Sequence, residues 1–123
     1  MSGFVTIQRK ATEHHLFSLN QRALRKIETI WGKAEGFIYF IAAGHDPEWV
    51  KIGFTAGDPR KRLKALQTGC PLKLVLLGAI PAPGRAEAEL HDVLREERGI
   101  GEWFGFTPYV SSLIAHQLES GER

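Results

Sequence analysis

The 123-residue sequence predicts a small α+β domain, and three observations carry the prediction. Hydrophobic residues make up 43% of the chain and charged residues 24%, close to globular averages and far from disordered or fibrous ones. Short runs rich in β-branched and aromatic residues alternate with stretches of helical apolar period, in the order α, β, β, α, β, α, α. Glycine, proline and aspartate fall between those stretches, where they act as caps and turns. A chain of this length suits one core, which buries roughly two thirds of the surface that the unfolded chain exposes.

Residues 1–35 read as an N-terminal helical extension and residues 36–123 as the main domain. In the extension Leu16, Leu19, Ala23, Ile27, Ile30 and Trp31 recur near the helical period, with Thr12 as a cap. That stripe has to pack on something: the parent domain first, or a second copy in a homodimer. Arg9, Lys10, Arg22, Arg25 and Lys26 also suit an arm laid on nucleic acid. Gly36 then opens a strand, Phe37 to Ile41, and the turn residues Gly44-His45-Asp46-Pro47 lead into a second, Trp49 to Phe54, which predicts a hairpin. Asp58-Pro59 pairs an N-cap with a first-position proline and starts a helix to Gln67, stopped by Gly69 and Pro71. A third strand spans Lys73 to Ile80, and Pro81-Ala82-Pro83-Gly84 breaks it. Arg85 to Arg98 is composed of strong helix formers with Leu90 and Leu94 on one stripe. Thr107-Pro108 starts the last helix, Tyr109 to Glu119, with Val110, Leu113, Ile114 and Leu118 facing inward and Gly121 past its end.

Composition narrows the function classes. The lone Cys70 cannot form an intrachain disulfide, and no charged start leads into an apolar run of signal-peptide length, so a cytoplasmic, intracellular protein is expected. The longest apolar runs are too short for the roughly 20 residues of a membrane span. Net charge is only +2, yet its distribution is uneven. Between Asp58 and Lys64 four bases (Arg60, Lys61, Arg62, Lys64) face one acid, whereas Arg85 to Glu102 holds six acids against three bases. One element is suited to phosphate and the other to a cation.

Several polar residues stand out from the scaffold. Tyr39 places a phenol in an otherwise apolar strand; taken alone it is a core tyrosine with a bonded hydroxyl. Lys51 alternates with Val50 and Ile52 and, by itself, is a solvated strand residue. Glu87 and His91 lie four apart and share a helix face at the border of the Leu90/Leu94 stripe, where a carboxylate needs a cation or donor to offset its desolvation. One carboxylate plus water can hold Mg²⁺. Trp49, Trp103 and Phe104 suit base stacking or, alternatively, completion of a small core.

Taken together, Gly36-Phe37-Ile38-Tyr39, Lys51-Ile52-Gly53, Arg62, Glu87 and Gly101-Glu102-Trp103-Phe104 resemble the GIY-YIG nuclease superfamily in order and spacing. The likeness is greatest to its compact phage and bacterial branch, in which the second motif has a KIG form. It covers Gly36 to Phe104 and implies a small three-stranded antiparallel sheet flanked by helices, the two motifs forming a hairpin. It further implies a metal-dependent endonuclease that cuts phosphodiester bonds with one ion, Mg²⁺ or Mn²⁺. Tyr39 would deprotonate or orient the attacking water, Arg62 would neutralise the scissile phosphate and Glu87 would hold the metal. Lys51 takes the place of the second signature tyrosine, where an ammonium can bind phosphate or assist a neighbouring phenol. Members commonly carry a late Asn near the metal helix, whereas Trp103 and Phe104 occupy that region here and Asn20 is the sole asparagine.

A tyrosine base at neutral pH requires a pKa depressed from about 10, and His45 and His91 are the other bases at hand. Packed between helix and sheet with one nitrogen bonded, His91 would orient the site instead. Arg60, Lys61 and Lys64 are the expected nucleic-acid contacts, with DNA preferred over RNA. The competing reading is a catalytically idle nucleic-acid-binding or protein-assembly module on the same fold.

Overall fold

The computed structural model describes residues 33–121; the predicted N-terminal helix, with its basic residues and its dimer contact, lies outside them. Strand β1 (Gly36–Ala43) pairs antiparallel with β2 (Trp49–Thr55) as the predicted hairpin, Tyr39 opposite Gly53 and Ile41 opposite Lys51. Helix α1 (Pro59–Gln67) follows, and the side chain of Asp58 caps it by accepting from the Arg60 N–H at 2.9 Å. Strand β3 (Leu74–Ala82) returns along the other side of β1, and α2 (Arg85–Val93) leads through a 3₁₀ turn (Arg95–Glu97) to β4 (Trp103–Gly105) and α3 (Pro108–Gly121).

The α+β class agrees with the sequence, but the sheet has four strands, not three, in the order β3-β1-β2-β4. The added strand, β4, pairs Trp103 with Lys51, Phe104 with Val50 and Gly105 with Trp49. Its three residues are too few to display an alternation, and its partner lies far back in the chain. β3 also runs through Pro81, where a break was expected, because β3 is an edge strand and its outer side needs no N–H. The helix predicted over Arg85 to Arg98 ends at Val93 and tightens into the 3₁₀ turn, and Gly121 is the last residue of α3 instead of following it.

Alternation along the strands sends side chains to two faces. On one face Ile38, Phe40, Val50, Ile52 and Ile80 meet Ala86, Leu90 and Leu94, Phe104, and Val110, Leu113 and Ile114 of α3. On the other, Tyr39, Ile41, Ala43 and Leu74 are covered by Leu63 and Leu66 of α1 with Trp103 beside them. The sheet is therefore the middle of three layers, α1 on one side and α2 with α3 on the other. The polar residues that stood out in the sequence converge where β4 ends.

Candidate active site

Tyr39 sits mid-strand in β1, 1% exposed, with its hydroxyl lying over the Cα of Gly53 on β2. A Cβ at Gly53 would stand 2.4 Å from that hydroxyl and 2.9 Å from Oε1 of Glu102. Glycine is thus required by close approach, because the side chains of Tyr39 and Glu102 occupy the space of its missing one. Arg62, in the first turns of α1, donates from Nε to the Tyr39 hydroxyl at 3.4 Å, and its exposed guanidinium keeps further N–H groups for an anion. Burial pushes the Tyr39 phenol above its ordinary pKa, and the Arg62 hydrogen bond opposes this without overcoming it. The depressed value that a tyrosine base needs is therefore not supplied by these side chains.

β4 pairs with β2 only as far as Lys51, beyond which the outer edge of β2 is open. The Ile52 N–H still reaches the Glu102 carbonyl at 3.0 Å. Side chains of α2 take the remaining edge groups. Nε2 of His91 lies 2.8 Å from the Ile52 carbonyl, which can only accept, so this nitrogen carries the proton and donates. Next along the edge, the Phe54 N–H donates to the Glu87 carboxyl. His91 also packs its ring on Phe104, centroids 4.9 Å apart.

Glu87 lies in the first turn of α2, where the helix N-terminus favours negative charge. Its carboxyl hydrogen-bonds that of Glu102. Burial first, then the hydrogen bond and charge of Glu102, push the Glu87 carboxyl up to about 7, against weaker opposition from the Phe54 N–H and Lys51. Burial also pushes Glu102 up, but its bond to Glu87 and the Lys51 charge outweigh that and hold it below the ordinary range. The two carboxyls thus titrate as a pair, which holds a proton more tightly than a lone glutamate does. Lys51 places Nζ 3.3 Å from Glu102 Oε1 and 5.4 Å from the Trp103 ring centroid.

Tyr39, Lys51, Arg62 and Glu87 are thus brought to one place, with His91 bracing its rim. Arg60, Lys61 and Lys64 lie exposed on α1, and Arg60 Nε is 3.5 Å from its neighbour Asp58. His45 is not brought in: it lies in the hairpin turn, beyond the Ala43–Trp49 pair that is itself four pairs along the ladder from Tyr39, at roughly 3.4 Å per residue. Of the aromatics, Phe104 is core at 0% exposure, Trp49 is exposed at 44%, and Trp103 is half-buried beneath Lys51. Glu102 stood in the motif Gly101-Glu102-Trp103-Phe104 and among the acids between Arg85 and Glu102, but nothing in the sequence assigned it a place in the site.

The donors fit a hard divalent cation. Two carboxyls from separate elements meet here with a single ammonium, that of Lys51, beside them, and a further cation would offset the charge that remains. Carboxylate and hydroxyl oxygens suit Mg²⁺, which keeps several waters. Among the described residues no group of three or more His, Cys, Asp or Glu is placed to hold a metal, so water has to complete any shell.

The chain belongs to the T5orf172 domain family, whose model matches residues 36–118 and so includes every residue of this site. Membership is compatible with a nuclease-like or DNA-binding role. Comparison with curated proteins and with solved structures finds no match. Among the described residues no helix is long and apolar enough to cross a membrane.

Proposed function

We propose that this domain is an endonuclease that hydrolyses nucleic-acid phosphodiester bonds, DNA before RNA, with one divalent ion, Mg²⁺ or Mn²⁺, held by Glu87. The observation that carries the reading is the run of contacts over Gly53, from Arg62 through the Tyr39 hydroxyl and Glu102 to Glu87, drawn from separate elements. Resemblance of the same residues to GIY-YIG nucleases supports it.

In this reading the exposed side of the Arg62 guanidinium receives the scissile phosphate and offsets charge building on its equatorial oxygens. The Tyr39 hydroxyl, already accepting from Arg62, has its own proton left to donate, so it orients the attacking water, whose proton passes to solvent. The ion supplies Lewis-acid stabilisation of the leaving oxygen when bound. Glu87 holds the ion, the Phe54 N–H fixes that carboxyl, and His91 pins α2 to β2 so that Glu87 keeps its position. Lys61 and Lys64 on α1 guide the flanking backbone.

The test is cleavage of mixed DNA and RNA substrates with and without Mg²⁺ or Mn²⁺, beside Glu87→Ala. Metal-dependent cleavage by the wild-type chain, lost in the variant with its circular dichroism unchanged, is the expected result. Wild-type rates in Glu87→Ala overturn the metal assignment, and binding without cleavage by the wild-type chain under every metal returns the idle binding module.

A further inference from the structure

We infer that Glu102 is a second carboxylate ligand of the divalent ion, standing beside Glu87 where β4 ends. The inference rests on the proposed nuclease reading and deepens it.

Glu102 is placed by its surroundings and not by chance of rotamer. Its carbonyl accepts the Ile52 N–H at 3.0 Å, and the preceding Gly101 takes φ +63°, a turn that most side chains resist. From there the side chain folds back over Gly53, whose missing Cβ leaves the room it uses. Lys51 then fixes one oxygen, Oε1, at 3.3 Å, with its own stem 13% exposed and its ammonium lying on the Trp103 face. A surface glutamate has no such constraints.

The direction in which these constraints aim the carboxylate is informative. They hold it against Glu87, the residue assigned to the metal, so that two acids from separate elements meet head to head. As a purely structural arrangement this is poor, because one ammonium, that of Lys51, stands against two carboxyls at a partly buried point and desolvation adds to the cost. As a cation seat it is ordinary chemistry, since Mg²⁺ is commonly bound through one or two carboxylates with water completing the shell. Lys51 belongs to the same arrangement: it is committed to Glu102, which makes it a positioning residue for this carboxylate.

The experiment titrates Mn²⁺ into the full chain without nucleic acid and reads free Mn²⁺ by its electron paramagnetic resonance signal, for wild type, Glu87→Gln, Glu102→Gln and Glu102→Asp. Loss of affinity on the order of 10-fold or more is expected in Glu102→Gln, comparable with Glu87→Gln. Glu102→Asp, with the charge kept one carbon shorter, is expected to retain part of the affinity, which covers the case that glutamine disturbs the turn. Circular dichroism of each variant shows whether it folds. Wild-type Mn²⁺ affinity in Glu102→Gln, with Glu87→Gln impaired, overturns this inference and leaves the nuclease reading standing. Absence of Mn²⁺ binding by the wild-type chain, or wild-type affinity in Glu87→Gln, overturns both.

Discussion

Gly53→Ala tests the geometry of the site with a single methyl group. An alanine Cβ at this position would lie 2.4 Å from the Tyr39 hydroxyl, 2.5 Å from the ring carbon bearing it and 2.9 Å from Glu102 Oε1. Comfortable contacts between such atoms are about 3.5 Å, so the overlap with tyrosine is roughly 1 Å. The ring cannot swing clear, since Tyr39 is 1% exposed and packed among Ile41, Leu63 and Ala79. Overpacking of this kind costs about 1–3 kcal/mol. At this chain length that lowers the melting temperature by roughly 5–15 °C. Moving the hydroxyl by about 1 Å relative to Arg62 is expected to reduce cleavage on the order of 10²-fold. Thermal unfolding by circular dichroism and the metal-dependent cleavage rate measure the two effects. Gly57→Ala is the control: its Cβ meets nothing nearer than Thr55 Oγ1 at 3.9 Å, and stability is expected to hold or rise slightly. If Gly53→Ala matches wild type in both melting temperature and rate, the hydroxyl and the Glu102 carboxylate do not lie over Gly53.

Three further outcomes are expected. Glu87 is pushed up to about 7 from an ordinary 4.5, so between those values the folded protein binds more protons than the unfolded one. Metal-free stability should therefore fall as pH rises from about 4.5 to about 7. The full displacement is worth about 3 kcal/mol, reduced to about 1 kcal/mol by solvent screening of a half-exposed side chain. Melting temperatures in a chelator across this range check it, and a slope unchanged in Glu87→Gln refutes the assignment. Tyr39→Phe keeps the ring but removes the acceptor of the Arg62 bond, so cleavage should drop on the order of 10²-fold while stability changes by about 1 kcal/mol or less; an unaltered rate returns Tyr39 to the core. Lys61→Ala and Lys64→Ala should each flatten the salt dependence of nucleic-acid affinity by about 0.9 of a log–log unit; unaltered slopes in both place the phosphate path elsewhere.

How much of this was legible in the sequence depends on whether the signal was local. Asp58-Pro59 announced α1 because cap and first-position proline act within one turn, and the hairpin was legible because both strands carry dense β-branched and aromatic residues. β4 was not, since Trp103-Phe104-Gly105 becomes a strand only through its partner Trp49 to Lys51. The candidate site divides in the same way. Glu87 and His91 share a helix face, and i,i+4 spacing is visible in any sequence, but the groups they meet, the Phe54 N–H and the Ile52 carbonyl, belong to a strand edge that only the fold exposes. Glu102 was hidden by the aromatics that follow it, and nothing local says that a turn acid will face a helix acid.

The short length of β4 is what allows the site to exist. Residues two apart on a strand lie roughly 6.8 Å apart, and residues four apart on a helix rise about 6 Å, so a helix lying along a strand edge can reach both strand residues with an i,i+4 pair. α2 does this in antiparallel sense, Glu87 at Phe54 and His91 at Ile52. Those edge groups are open because β4 stops pairing at Lys51. Three more ladder pairs, through Phe54, would bring a fourth-strand backbone to the Ile52 carbonyl and the Phe54 N–H, displacing His91 and then Glu87. The turn carrying Glu102 would move with the strand, away from Gly53, and Lys51 would lose its partner. The strand that the sequence left unannounced thus sets, by where it ends, the point at which the two carboxyls meet.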